Sequence, residues 1–103
     1  MEKDQVIAKL REHEAELRAA GAEQMSIFGS VARGEATDES DLDVLVTFSE
    51  PVIQSGWGYF TAVEELRALI VGITGVRSVD IVPEPLRRKR FSRSVERDRA
   101  IAY

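Results

Sequence analysis

A glycine-serine turn between two apolar segments constrains the fold of this chain most strongly. Residues 27–34 read IFGSVARG and residues 40–46 read SDLDVLV, so a short apolar run enters a turn and a second apolar run follows. The connection from Phe28 to Leu42 is too short for a usual parallel crossover that contains a full helix. We therefore predict two antiparallel strands joined by a short helix.

The second strand carries two aspartates one residue apart. Because successive side chains of a strand point to opposite faces, Asp41 and Asp43 are expected to project together. Their mutual repulsion would be relieved by Mg²⁺, which proteins usually hold with one or two carboxylates plus substrate phosphates. The alternative is a polar sheet edge whose carboxylates simply face water. Asp80 interrupts a third apolar run at residues 79–82 and favours the metal interpretation.

The turn itself has the chemistry of an anion site. Gly29 allows a tight turn and a close backbone approach, and Ser30 is placed to cap the helix that follows. Free N–H groups at such a point suit a phosphate, although an ordinary helix cap without a ligand is the alternative. Arg33 lies one turn further on, where it could be a surface charge, and Gly34 is expected to end the helix.

Four features follow one another along the chain: the Gly29-Ser30 turn, Arg33-Gly34, the Ser-Asp-x-Asp pattern at residues 40–43 and the single strand Asp80. In this order they resemble the minimal nucleotidyltransferases of the DNA polymerase β superfamily. The resemblance spans residues 25–82. It implies an α+β fold with a small mixed β-sheet flanked by helices. We expect one such domain over residues 1–103.

The resemblance also implies an activity, transfer of AMP from ATP to a hydroxyl group with two Mg²⁺ ions. The carboxylates that it assigns to catalysis and metal binding are Asp41, Asp43 and Asp80, and the residues that it assigns to the nucleotide are Gly29, Ser30 and Arg33. Such proteins commonly accompany a HEPN-type toxin and act as its antitoxin, modifying a toxin tyrosine. Two other functions stay open: nucleotidyl transfer to a small molecule such as an aminoglycoside, and silencing of a partner by contact alone.

Charge is unevenly distributed along the chain. Residues 1–82 contain seven basic and 15 acidic residues, whereas residues 83–103 contain seven basic and three acidic ones. The acidic body argues against a nucleic-acid binder, whose footprint should be basic. The basic run at residues 86–93 is interpreted as a solvated helix face or a partner contact.

Composition indicates a soluble cytoplasmic protein without a membrane segment. The chain has no cysteine, which excludes disulfides and thiolate metal sites and is compatible with a reducing cytosol. No apolar run approaches the roughly 20 residues that span a bilayer. The first five residues lack the basic and apolar regions of a signal peptide.

Helical spacing predicts the flanking elements. One helix is expected over residues 6–20, with His13 at the surface and Gly21 as its stop. The inner positions expected for a second helix are Phe60, Val63, Leu66, Leu69, Ile70 and Ile73. A third strand is expected over residues 77–82, and the remainder is expected to be helical to Tyr103.

Two surfaces are predicted from the aromatic residues. Trp57 and Tyr59 follow glycines in a loop and are expected to anchor that loop on the core rather than cover a base. The segment 86–103 is expected to dock a partner, because arginine and aromatic residues are enriched at interfaces. The alternative interpretation is that this segment packs back on the sheet. Its apolar residues are Leu86, Phe91, Val95, Ile101 and Tyr103.

Overall fold

A computed structural model describes residues 2–37, 39–84 and 89–103 of the chain. In these residues it has a four-stranded sheet and six helices. In chain order the elements are α1 (Lys3–Glu12), α2 (Glu14–Ala19), β1 (Ala22–Phe28), α3 (Gly29–Arg33), β2 (Leu42–Phe48), α4 (Glu50–Ile53), α5 (Trp57–Thr74), β3 (Val79–Pro83), α6 (Lys89–Asp98) and β4 (Ala100–Ile101).

The sheet is mixed and has the strand order β3-β2-β1-β4. β1 is antiparallel to both β2 and β4, whereas β2 and β3 run parallel. The predicted antiparallel pair and the predicted α+β class are therefore confirmed. The long α5 supplies the crossover that a parallel β2–β3 pair requires.

One face of the sheet holds the main core. Alternation along β2 turns Leu42, Val44 and Val46 to this face, and all three are fully buried. α1 contributes Val6 and Leu10, while α5 contributes Leu66 and Ile70. Burial of these side chains fixes the register of β2, because a one-residue slip would bury the carboxylates instead.

The opposite face is covered by α6. Val95 packs there with Phe28 and Leu45 in a second, smaller cluster. Beside it, the Arg99 guanidinium donates to both carboxylate oxygens of Glu84, at 2.7 and 3.1 Å, and to the Ser26 hydroxyl at 2.9 Å. Among the side chains that the structure describes, fewer buried apolar ones lie on this face than on the other. The ion pair helps to attach the C-terminal segment to it.

The C-terminal segment differs from the prediction of continuous helix. α6 ends at Asp98, and β4 then pairs with the free edge of β1 through Ser26 and Ile27. The Ala102 N–H donates to the Met25 carbonyl at 2.9 Å. The local helical pattern is overridden here because the edge of β1 offers unpaired backbone groups that only a distant segment can satisfy.

The predicted docking role of this segment stays a prediction, and some of its apolar residues pack back on the sheet, as expected. Val95 is fully buried and Tyr103 is half-buried, so both pack back on the body of the protein, while Ile101 stays exposed. Leu86, Arg87 and Arg88 lie outside the described residues, as do the side chains of Arg90 and Phe91.

Two further helical predictions also change. The first helix is broken at His13, which separates α1 from α2 and stays half-exposed beside Glu16. In α5, Phe60 is 62% exposed rather than inner. The remaining predicted inner positions pack against the core, namely Val63, Leu66, Leu69, Ile70 and Ile73.

The two aromatics that follow glycines have opposite positions. Tyr59 packs edge-to-face on Phe48, with ring centroids 5.4 Å apart, as predicted for an anchor. Trp57 was expected to do the same but is 87% exposed. It begins α5 directly after Gly56, and its ring contacts Phe60 rather than the core.

None of the helices in residues 2–37, 39–84 and 89–103 combines the length and the apolar character needed to cross a bilayer.

Candidate active site

The Gly-Ser turn lies where β1 ends and α3 begins. Gly29 is the first residue of α3 and has a left-handed backbone, with φ of 72°. A Cβ at this position would overlap the Asp43 carboxylate. Gly29 thus serves two needs at once, because it permits the positive φ and lets the turn approach the carboxylate closely.

Ser30 does not cap α3 as expected. The N-cap is Phe28, no side chain caps the helix, and Ser30 lies inside the first turn. The prediction placed the helix start one residue too late, because the left-handed Gly29 already belongs to the helix. Ser30 is half-exposed beside Gly29, and Gly34 ends the helix with φ of 75°, as predicted.

Asp43 and Asp80 face each other across adjacent parallel strands. They are direct partners in the β2–β3 register, as are Leu42 and Val79. Since Leu42 and Val79 are buried in the main core, alternation sends both aspartates to the opposite face of the sheet. Two strands that lie far apart in sequence therefore bring these two carboxylates together.

Asp43 is the electrostatically strained member of the group. Burial raises the pKa of Asp43, and the charges of Asp80 and Asp41 raise it further, whereas Arg33 acts in the opposite sense. Both of the other predicted carboxylates therefore act on Asp43. Ionising Asp43 costs free energy in this environment, and a cation or a phosphate-bound metal would reduce that cost.

Asp41 lies one residue before β2 and is held by a residue that sequence reasoning missed. The Ser78 hydroxyl donates a hydrogen bond to Asp41 Oδ1. The Leu42 N–H also donates to the Ser78 carbonyl at 3.0 Å. Ser78 immediately precedes β3, so the two chain segments that enter the site are joined by both backbone and side chain.

Arg33 ends α3 and is engaged by two carboxylates. Its guanidinium donates to Glu35 and to Asp98, each at 3.1 Å. Hydrogen bonding to Glu35, and then to Asp98, raises the pKa of Arg33. Asp98 is the last residue of α6 and its side chain is 11% exposed, so this pair ties the turn to the C-terminal helix. Sequence reasoning missed Asp98, because it lies far from Arg33 along the chain.

The donor set fits a hard divalent cation. The three carboxylates supply only oxygen ligands, which Mg²⁺ prefers. Within the described ranges, no three potential ligand side chains are already close enough to hold an ion by themselves. Mg²⁺ does not need such a cage, because substrate phosphates and water commonly complete its coordination.

This arrangement defines a class of protein: a small α+β domain that places carboxylates beside a tight glycine turn. Residues 7–102 match a family described as nucleotidyltransferase domain. The chain belongs to this nucleotidyltransferase family and is an enzyme of the nucleotidyltransferase class.

Similar proteins cover nearly the whole chain. Protein adenylyltransferase MntA from Thermococcus cleftensis is 34% identical over 96 residues, covering 92% of this chain and 90% of the relative. A solved structure described as a candidate minimal nucleotidyltransferase is also 34% identical, with a TM-score of 0.72, covering 97% of this chain and 95% of the other.

A more distant solved structure shares the fold. It is the tri-AMPylated HEPN toxin of Shewanella oneidensis in complex with an MNT antitoxin. The matched chain is 15% identical with a TM-score of 0.59, covering 94% of this chain and 71% of that one. At this identity the likeness concerns the fold alone.

Proposed function

We propose that this chain transfers AMP from ATP to a hydroxyl group on a partner protein, and that it thereby acts as the antitoxin of a HEPN-type toxin. The observation that carries the catalytic part is the in-register pairing of Asp43 with Asp80 beside Gly29. The protein acceptor is supported by the name of the Thermococcus relative, a protein adenylyltransferase. The toxin and its tyrosine acceptor are supported by the sequence resemblance and by the shared fold of the Shewanella complex.

The three carboxylates are proposed to have different roles in catalysis. Asp41 and Asp43 would hold Mg²⁺ together with the triphosphate, since they enter the site side by side at the start of β2. Bound there, Mg²⁺ would neutralise charge that develops on the leaving pyrophosphate. Asp80 is exposed on the neighbouring strand, so it can reach an acceptor hydroxyl and take its proton as general base. A second ion held with Asp80 belongs to the same proposal.

The turn positions the substrate. Gly29 and Ser30 are proposed to approach the β- and γ-phosphates with their backbone N–H groups, because Gly29 brings the backbone close to Asp43. Arg33 is proposed to face the same anion from the end of α3. Its partners Glu35 and Asp98 hold the guanidinium in place beforehand, which reduces the cost of positioning. We propose that residues 1–103 act as one domain and that the protein works in the cytoplasm.

The test uses ATP carrying a radioactive label at either the α- or the γ-phosphate. The probe is the protein encoded by the adjacent reading frame, purified together with this chain. The α-label should move to that protein and the γ-label should not, which separates AMP transfer from phosphorylation. Asp43→Asn and Asp80→Asn should abolish labelling. Glu23→Gln, which changes an exposed carboxylate at the other end of β1, should not.

Three outcomes would contradict the proposal. Transfer of the γ-label would make the protein a kinase. Labelling of an aminoglycoside in place of any protein would select the small-molecule alternative. In the third outcome, the adjacent protein binds tightly without receiving label, while the Asp43→Asn variant still fully neutralises its toxicity. This result would select silencing by contact alone.

A further inference from the structure

An apolar corner stands out of the body where α4 meets α5. We define it by Ile53, Trp57 and Phe60, which are 47%, 87% and 62% exposed. Ile53 ends α4, and Trp57 begins α5 three residues before Phe60. The Trp57 and Phe60 rings contact each other, with centroids 5.8 Å apart. Exposed apolar surface grouped in this way, rather than scattered, marks an interaction site.

A row of aromatic contacts connects the corner to the core. Phe60 contacts Tyr59 at 5.9 Å between ring centroids, and Tyr59 contacts Phe48 at 5.4 Å. Phe48 is buried at the end of β2. An exposed tryptophan supported by a packed aromatic row loses little conformational freedom when a partner covers it, which is typical of binding hot spots.

The charge around the corner selects its partner. Between Glu50 and Leu66 the chain contains three acidic residues and no lysine or arginine, and the next residue, Arg67, forms an ion pair with Glu64. Two of these acids flank the corner by helical spacing: Glu50 lies three residues before Ile53, and Glu64 lies four residues after Phe60. A partner surface that complements this corner is therefore apolar at its centre and basic at its rim.

Two other occupants fit less well. A second copy docked corner to corner would bring Glu50 and Glu65 near the same acidic residues of the other copy, and like charges across an interface oppose association. An anionic membrane surface would be repelled by the same carboxylates.

We propose that the corner formed by Ile53, Trp57 and Phe60 is the docking surface for the acceptor protein, which presents a basic-rimmed apolar patch. This inference rests on the proposed protein-directed AMP transfer. It places docking away from the segment 86–103, where Val95 and Tyr103 are already used for internal packing.

Docking at the corner is geometrically compatible with modification at the carboxylates. Asp43 lies at the start of β2 and Phe48 at its end, a separation of about 17 Å along an extended strand. The corner lies beyond Phe48, by ring separations of 5.4 Å from Phe48 to Tyr59 and 5.9 Å from Tyr59 to Phe60, so the whole span is at most about 28 Å. An extended peptide covers about 3.3–3.6 Å per residue, so a tail of roughly eight or nine residues spans it. The acceptor hydroxyl can therefore reach Asp80 from a flexible segment while the partner's body stays on the corner.

The test compares surface variants of the full chain. Trp57→Ala and Phe60→Ala, singly and together, remove the aromatic centre and keep good helix formers. Ile101→Thr is the matched control, because Ile101 is 60% exposed on β4, outside the corner. Binding of the purified adjacent-frame protein is measured by calorimetry at low and high salt. ATP affinity of each variant is measured in parallel to show that the site is intact.

The double variant should bind the partner about tenfold or more weakly, as expected for truncated aromatic hot spots. Ile101→Thr should bind like wild type, and ATP affinity should be unchanged in all of them. Affinity of the wild type should fall with salt, and Glu50→Arg should weaken association and reduce that salt dependence. AMP transfer to the partner should persist in the double variant at saturating partner concentration.

Other results overturn the inference. Equal partner binding by the double variant and the wild type would remove the corner as the docking surface, while AMP transfer could continue and leave the proposed function standing. If the wild type self-associates in sedimentation equilibrium and the double variant does not, a second copy covers the corner. If the adjacent protein neither binds the wild type nor receives AMP, both the docking inference and the proposed function fail.

Discussion

The Ser78 hydroxyl donates a hydrogen bond to the Asp41 carboxylate, across the two segments that enter β2 and β3. Asp41 lies outside the strand and its side chain is exposed, so no packing holds it. Ser78 therefore restricts an aspartate that would otherwise sample several rotamers. We expect this restriction to matter most when Asp41 must meet a metal-bound triphosphate.

Ser78→Ala should weaken binding of Mg-ATP by about tenfold, since a hydrogen bond to a charged group contributes about 1.5–3 kcal/mol and this one is exposed. Binding of ATP in EDTA should change much less. Calorimetry with and without Mg²⁺ measures both. Ser78→Thr should retain affinity because it keeps the hydroxyl, and Ser55→Ala, far from the site, is the control. Equal Mg-ATP affinity in wild type and Ser78→Ala would remove the positioning role.

Gly29→Ala should lose both stability and ATP affinity. Its φ of 72° is costly for alanine, and the added Cβ would overlap the Asp43 carboxylate. Gly34→Ala is a matched control, because φ is 75° there but nothing lies within 4 Å of the place that a Cβ would take. Both variants should lose about 1–2 kcal/mol from the left-handed backbone. Only Gly29→Ala should also lose ATP binding, and an equal loss in both would contradict the close-approach argument.

Asp43→Asn should stabilise the protein in the absence of metal. Burial, Asp80 and Asp41 raise the pKa of Asp43 in the folded state. The folded protein then holds the proton more tightly than the unfolded chain, so the ionised carboxylate costs stability above its folded pKa. This cost begins to decrease as pH falls to that value and is gone below the pKa of the unfolded carboxyl. Urea unfolding in EDTA should therefore show a more stable variant at pH 7 and no difference near pH 3.

Added Mg²⁺ supplies the control for that experiment. It should stabilise the wild type and not Asp43→Asn, because binding to the folded state alone raises stability. An Asp43→Asn variant that is less stable than wild type at pH 7 in EDTA would show that the carboxylate has a structural partner. The proposed strain on Asp43 would then be wrong.

Tyr103→Phe should cost about 1 kcal/mol at pH 7, the usual net value of a hydrogen bond. The Tyr103 hydroxyl donates to the Ala22 carbonyl at 2.8 Å, and burial raises the pKa of Tyr103 to about 12. The folded state therefore keeps the phenolic proton longer than the unfolded chain, whose pKa is about 10. This contribution is complete below pH 10 and is lost as pH rises to about 12. Urea unfolding at pH 7 and pH 11 measures how much unfolding free energy each protein loses at alkaline pH. Tyr103→Phe should lose less than the wild type, and equal losses would contradict the role of the phenolic proton.

Local patterns predicted the parts of the fold that local physics decides. The β1–β2 pair was indicated by the alternation around Asp43 and by the short connection between Phe28 and Leu42. The end of α3 was indicated by the glycine at position 34. Each of these depends on residues close in sequence. The position of Asp80 could also be placed on a strand, although its pairing with Asp43 became visible only in the sheet register.

The features that sequence reasoning missed depend on distant partners. β4 forms because the edge of β1 accepts it, and Asp98 reaches Arg33 only after α6 has packed on the sheet. Trp57 is expected to anchor a loop on the core and Phe60 to take an inner helix position, yet both lie exposed in the first turn of α5. Ser78 carried one available signal, its place two residues before Asp80, which repeats the spacing of Asp41 and Asp43.

The central claim is that the carboxylate site of this chain attaches AMP to a protein. Intact-mass spectrometry of the adjacent-frame protein, co-expressed with either wild type or Asp43→Asn, tests it most directly. With wild type, the partner should gain one or more AMP-sized increments, and fragmentation should place them on a side-chain hydroxyl. With Asp43→Asn, the partner should keep its unmodified mass. An unmodified partner in both cultures, or an equal increment in both, would contradict the claim.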